Sequence, residues 1–207
     1  QNQHPIYVQA YKDRMNVIKN QGRNDANNDR ASQTQHPVYQ QAYNSRNQEI
    51  YNAGRNDANQ SRPAHSGHST YRAGFNDRKN ELYQNGYSAG KRGDQLNQPY
   101  SIHYANGHAD GTQYRIGYRR GLDDNNAGSN HRDRQTGHQD ALDHMYNRGY
   151  DAGRENRRPT SHHSSYRTGY NHGQERRMYR MGEDDGYDDQ RPAYPQNRTY
   201  MNGYREG

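Results

Sequence analysis

Two histidine pairs, one acidic run and a broad interleaving of arginine with tyrosine are the features of this chain whose residue types could do chemistry. His65-x-x-His68 and His162-His163 have the spacing of metal ligands. Neither pair has a cysteine or a fixed carboxylate beside it, so both read as solvated linker histidines. The run Glu183-Asp184-Asp185-Gly186-Tyr187-Asp188-Asp189 lacks the ligand spacing of a calcium loop and reads as a solvated helix end. Arg92-Gly93-Asp94 is the tripeptide of integrin ligands, but in a chain this rich in those three residues it reads as coincidence. No acid, base or nucleophile stands in a context of its own. No catalytic residue, metal or cofactor is therefore expected, and the chain reads as non-enzymatic.

Arginine carries almost all of the positive charge: 25 Arg against 4 Lys, with 23 acidic residues and a formal net charge of +6. The guanidinium fork suits phosphate and carboxylate and stacks on aromatic rings, which lysine does poorly. Arg14, Arg46, Arg78, Arg119, Arg120, Arg157, Arg158, Arg176 and Arg177 are accordingly candidates for holding a polyanion such as RNA. Acidification of the 12 histidines would carry the charge towards +18, so an anionic partner should bind more tightly as pH falls. Acids beside the arginines, as in Arg23-Asn24-Asp25 and Arg55-Asn56-Asp57, offer the competing use of pairing within the chain.

With only 26% hydrophobic residues, the composition alone points towards disorder. The counterweight is 21 tyrosines, each a large ring that can pack while its hydroxyl stays hydrogen-bonded. No apolar run is long enough to span a membrane, and cysteine is absent, which excludes a disulfide framework. The start at Gln1 suggests that a leader has been removed. The Asn-, Gln- and Tyr-rich composition suits an extracellular or cell-surface location, with the cytoplasm as the alternative. Asn59-Gln60-Ser61 and Asn197-Arg198-Thr199 are glycosylation sequons in the expected linkers.

All of these residues are positioned by a repeat. Tyr7-x-x-x-Tyr11 recurs as Tyr39-x-x-x-Tyr43 and Tyr71-x-x-Gly74-Phe75. It continues as Tyr104-x-x-Gly107-His108, Arg134-x-x-Gly137-His138, Tyr166-x-x-Gly169-Tyr170 and Tyr200-x-x-Gly203-Tyr204. A second block follows each first block except the last: Ile18 with Gly22, Ile50 with Gly54, Leu82 with Gly86 and Gly90, then a pair at Gly117 and Gly121. Met145 with Gly149 and Gly153, and Met178 with Gly182, complete the series. Residues 1–207 thus form one array of about 32-residue repeats, starting near 7, 39, 71, 104, 134, 166 and 200, with the last repeat partial.

Within a repeat the marked residues fall three or four apart, one stripe of a helix. The expected fold is all-α, with one Tyr- and Gly-faced helix of about 20 residues per repeat in a solenoid-like or stacked array. All seven prolines fall outside the helix interiors, and Ser69, Ser101, Ser165 and Thr199 stand where N-caps belong. Glycine inside a helix costs about 1 kcal/mol relative to alanine. The repetition of Gly74, Gly86 and Gly90 therefore predicts either close approach of a neighbour or two short helices per repeat.

Gly86-Tyr87-Ser88-Ala89-Gly90, Pro99-Tyr100 and Tyr104-Ala105-Asn106-Gly107 together resemble the ribosome modulation factor family. Gly149-Tyr150-Asp151-Ala152-Gly153, Pro159 and Tyr166-Arg167-Thr168-Gly169 resemble it with no tyrosine after the proline. The resemblance implies a helix–loop–helix unit and binding to ribosomal RNA. The chain departs from that family in having no Trp, no Cys, more acids and tandem copies. The primary expectation is a structural protein that assembles with itself into fibrils or a scaffold; the alternative is an RNA- or ribosome-binding repeat protein.

Overall fold

Every repeat forms a helix, and both helix ends show why. The computed structural model describes residues 5–96 and 101–207; Pro99 and Tyr100 of the resemblance motif lie outside them. Seven helices occupy the described residues: α1 (Pro5–Asn27), α2 (Pro37–Asn59), α3 (Ser69–Arg92), α4 (Ile102–Leu122), α5 (Arg132–Arg154), α6 (Ser164–Tyr187) and the short α7 (Arg198–Glu206). No strand is present among them. Gly74, Gly86 and Gly90 lie inside the unbroken α3, so the glycines do not divide a repeat into two short helices.

The N-caps differ from the expected serines. Ser101 caps α4, accepting from the Tyr104 amide at 3.3 Å. Three other helices are capped by histidine: Nδ1 of His36, His68 and His163 accepts from the amides of Val38, Thr70 and Ser165 at 3.3, 3.2 and 3.2 Å. Nδ1 of histidine stands as far along the side chain as Oδ1 of asparagine, so a neutral imidazole can fill the same role. Asn197 caps α7 through the Tyr200 amide at 3.0 Å. Ser69, Ser165 and Thr199 therefore lie within first turns and are not themselves the caps.

The C-termini close in one recurring way. After α1 the Asp29 amide donates to the Ala26 carbonyl at 3.2 Å and the Arg30 amide to the Asp25 carbonyl at 2.9 Å. This double bond needs a left-handed residue at its centre. Gly93 supplies one at φ 87°, but elsewhere Asp29, Ser61, Asp124, Asn156 and Asp189 adopt φ of 52–58°. Side chains other than glycine are strained there, although Asp and Asn bear it best. The side chains of Asp29, Ser61 and Asp124 are used in the junctions described below.

By contacts the chain divides into two units, Gln1–Ala89 with Asp94–Ala109, and Gly90–Gly93 with Asp110–Gly207. Within each, consecutive helices pack side by side in the same direction. Tyr51 meets Asp77 and Arg55 meets Glu81, both 26 residues apart. A constant offset defines parallel neighbours, since antiparallel ones would conserve the sum of residue numbers instead. The second half of each helix thus faces the first half of the next.

That stagger brings the start of one helix to the end of the helix two before it. In the first unit, His68 Nε2 donates to the Ala26 carbonyl at 2.6 Å. The Ser69 amide and hydroxyl donate to the Asp29 carboxylate at 2.7 and 2.5 Å. In the second unit, His163 and Ser164 repeat the arrangement on the Gly121 carbonyl and Asp124 at 2.6, 2.9 and 2.6 Å. The Ile102 amide meets Ser61 Oγ at 2.8 Å in the same sense. Opposite helix-dipole ends meet at each junction. Because Nδ1 of these histidines accepts a bond, the ring proton sits on Nε2, where the carbonyl needs it.

Candidate functional site

The surface that recurs along the chain is the seam between consecutive helices, and glycines build it in reciprocal pairs. A methyl group at Gly54 would overlap the Tyr71 carbonyl oxygen, and one at Gly74 would overlap that of Tyr51. Gly86 and Gly107 stand in the same relation to Tyr104 and Tyr83, and Gly149 and Gly169 to Tyr166 and Tyr146. Gly182 with Tyr200 and Gly203 with Tyr179 repeat it. In the seam between α4 and α5 the carbonyls are those of Arg134 over Gly117 and Tyr114 over Gly137. Missing Cβ atoms let each helix lay its carbonyls against the Cα–H groups of its neighbour, a contact known from glycine-faced helix pairs.

Tyrosine fills what remains. Tyr39, Tyr166 and Tyr200 are fully buried, and Tyr71 with Ala58 and Phe75 forms a core against which Ile50 packs. Met145, Ala152 and Tyr166 form the corresponding core between α5 and α6. Leu82, Gly90, Gly121 and Gly153 are also buried, while Met178 is half-buried. The rings stack along each helix, Tyr39 on Tyr43 at 6.0 Å and Tyr166 on Tyr170 at 6.5 Å.

The buried hydroxyls of Tyr39, Tyr71 and Tyr200 need acceptors, and a carboxylate of the preceding helix supplies each one. Tyr39 donates to Asp25 at 2.8 Å and Tyr71 to Asp57 at 2.7 Å; Tyr200 donates to Asp185. The acidic run at 183–189 is therefore not a purely solvated helix end. These aspartates were not legible as functional residues, although their place 14 residues before the buried tyrosine repeats at Asp25 and Asp57.

Tyr7 and Tyr11 depart from the expected packing. They are 68% and 60% exposed, where the equivalent Tyr39 is 0%, because no helix precedes α1 among the described residues. Ile6 and Val17 are similarly bare.

The arginine candidates divide. Arg46 bonds Asn27 at 2.5 Å and Glu49 at 2.6 Å, and Arg78 bonds Asn59 and Glu81, each at 3.0 Å. Arg55 completes the second cluster with a two-pronged bond to Glu81, 2.8 Å on each arm. Arg120 bonds the Asn126 carbonyl, and Arg176 lies over the Tyr179 ring. Arg14, at the register position of Arg46 and Arg78, is exposed on α1. Arg119 is exposed at the end of α4, Arg177 is half-buried in α6, and Arg157 and Arg158 follow α5. Asn59 ends α2 and Asn197 caps α7, so neither sequon asparagine lies free in a linker.

Three of the four paired histidines have partners within the chain. His65 Nδ1 meets the Tyr71 hydroxyl at 3.0 Å, and His68 and His163 are spent on capping and on the junctions. Asp110, His131 and Asp133 do gather potential ligand atoms within 4.8 Å of one another. His131 Nε2 faces Asp110 at 3.7 Å and Nδ1 faces Asp133 at 3.8 Å. No helix among the described residues is long and apolar enough to cross a membrane.

The pH dependence of the seam follows from its partners. The Ser69 and Ser164 hydroxyls hold the Asp29 and Asp124 carboxyls below their usual range, and Arg55, then Arg78, lower Glu81 to about 2. Carboxyls lowered on folding add stability that is present above their unfolded values and lost as pH falls through the folded ones. Burial, and then the facing aspartate, push Tyr39, Tyr71 and Tyr200 upwards. Their contribution is present below the unfolded value of about 10 and lost as pH rises through the folded ones. Urea midpoints should therefore fall both from pH 7 to about 3 and from pH 7 to about 11. A midpoint that climbs on the alkaline side contradicts the tyrosine–aspartate assignment.

Compared with known proteins, the chain matches no family model, no curated protein and no solved structure.

Proposed function

We propose that this chain is a non-enzymatic structural protein that assembles with copies of itself through its helix seams, as a scaffold or fibril outside the cell or at its surface. The observation that carries this reading is the self-complementary seam, in which a helix packs its glycines and tyrosines on a helix of the same repeat type. Ile6, Tyr7, Tyr11 and Val17 are exposed, while the tyrosines at the equivalent position of α2, α3, α6 and α7 are buried. What covers those tyrosines in each case is the preceding helix of the same repeat type. The surface that fits such a face is thus one that the chain itself carries, so copies of the chain can pair through it. Such a contact is heterologous, and repeated addition gives open filaments.

The absence of any unique acid, base or nucleophile along the seam supports a structural role, and the internal pairing of Arg46 and Arg78 weighs against RNA as the main partner. Sedimentation velocity and negative-stain microscopy across rising concentration test the reading. Association into elongated particles is expected, weakened about tenfold or more in a Tyr7→Asp/Tyr11→Asp variant, since exposed aromatic anchors dominate such contacts. Monomers at high concentration would sink it. Particles that form only when RNA is added would favour instead the RNA-binding function that the family resemblance implies.

A further inference from the structure

The α5–α6 seam lacks the carboxylate that the α1–α2 and α2–α3 seams carry. Tyr166 stands 14 residues after Ala152, as Tyr39 stands after Asp25 and Tyr71 after Asp57. In the α1–α2 and α2–α3 seams an arginine just beyond the helix faces the same carboxylate, Arg30 at 3.8 Å and Arg62 at 3.5 Å. Arg157 is their counterpart, since its amide bonds the Ala152 carbonyl at 2.8 Å as those of Arg30 and Arg62 bond Asp25 and Asp57. With alanine at 152 there is no carboxylate between arginine and tyrosine. A cavity of about 180 Å³ lies there, lined by Arg148, Arg157, Arg158, Thr160 and Tyr166, with Asp151 and Ala152.

We propose that this cavity binds a small oxyanion, a phosphate or carboxylate group that takes the place of the missing aspartate. Three arginines line it against one acidic residue, Asp151, whose carboxylate faces Arg154 at 3.9 Å. Arg157 contacts the exposed Glu155 at 2.8 Å, an exchangeable surface partner. The Tyr166 hydroxyl is 3.3 Å from the Thr160 amide and 3.2 Å from its hydroxyl. With the Thr160 amide as its donor, the tyrosine proton remains for an anion, as the protons of Tyr39 and Tyr71 go to aspartate. The electrostatics agree: the Thr160 hydroxyl, aided by Arg148 and Arg157, lowers Tyr166, whereas Tyr39 and Tyr71 are raised. Phosphate and carboxylate share this recognition by arginine forks and a hydroxyl donor.

The test titrates the full chain with sodium phosphate and, separately, sodium acetate, each against sodium chloride at matched ionic strength. The readouts are melting temperature and the amide resonance of Thr160. A saturable rise and shift with phosphate, acetate or both is expected beyond that of chloride, and the stronger of the two assigns the ligand class. Ala152→Asp, which copies the occupied seams and should fold as they do, is expected to weaken the response at least about tenfold. Arg148→Met should weaken it similarly while leaving the helices intact. No response beyond chloride, or an equal response in Ala152→Asp, overturns the proposal. Because this readout needs no assembly, it stands or falls apart from the scaffold function.

Discussion

Alanine at Gly169 is expected to destabilise the protein by about 2 kcal/mol, although alanine is the better helix former by about 1 kcal/mol. The sign is decided by what the added methyl meets. At Gly169 it meets the carbonyl oxygen of Tyr146, which is backbone held in α5 and cannot rotate aside. The helices must then separate, and the reciprocal contact of Gly149 with the Tyr166 carbonyl opens with them. Overpacking of this kind typically costs about 1–3 kcal/mol, and losing both halves of a paired contact places it at the upper end. Gly67 is the control, since nothing lies within contact of a methyl there; Gly67→Ala should change stability by less than about 0.5 kcal/mol. Urea unfolding followed by circular dichroism compares them, and equal midpoints for the two variants would refute the close-approach account.

The second large effect lies in the buried hydroxyl. Tyr71→Phe should cost about 2 kcal/mol, because a hydrogen bond to a charged acceptor is lost while the carboxylate of Asp57 stays buried. Arg62 at 3.5 Å and His65 at 3.3 Å soften the loss without replacing the donor. Adding Asp57→Ala to Tyr71→Phe should recover much of the cost, since removing both partners leaves no unsatisfied charge. The double-mutant cycle reads the coupling directly. Additive losses would mean that the tyrosine ring packs there without depending on the carboxylate. The α5–α6 seam already carries alanine at 152 beside an intact Tyr166, so the backbone tolerates that pairing.

The two effects separate what is local from what is not. Glycines at Gly54, Gly74, Gly86 and Gly107 could be recognised because close approach demands the absence of one atom, a demand written into residue identity and repeated at helical spacing. The role of His68 could not be recognised in the same way. Its ring spans from the Thr70 amide, two residues away, to the Ala26 carbonyl, 42 residues away. Without the second partner it looks like any polar linker residue. Asp29 shows the same difficulty: an aspartate in a left-handed turn is ordinary until Ser69 is seen on its carboxylate.

The sequence by itself therefore determined the all-helical repeat, its period of about 32 residues and the Gly–Tyr face of each helix, because these follow from composition and local periodicity. Only the tertiary structure decided that neighbours run parallel and half-staggered, so that every seam from α2–α3 onwards pairs glycine with carbonyl in both directions. It also decided that histidine caps lock helices two apart, that Tyr7 and Tyr11 stay bare, and that Ala152 leaves an arginine-lined cavity. The physical reason is the same in each case. A donor, a carbonyl or an empty volume acquires meaning only from the group placed opposite it, and stagger between helices sets that placement.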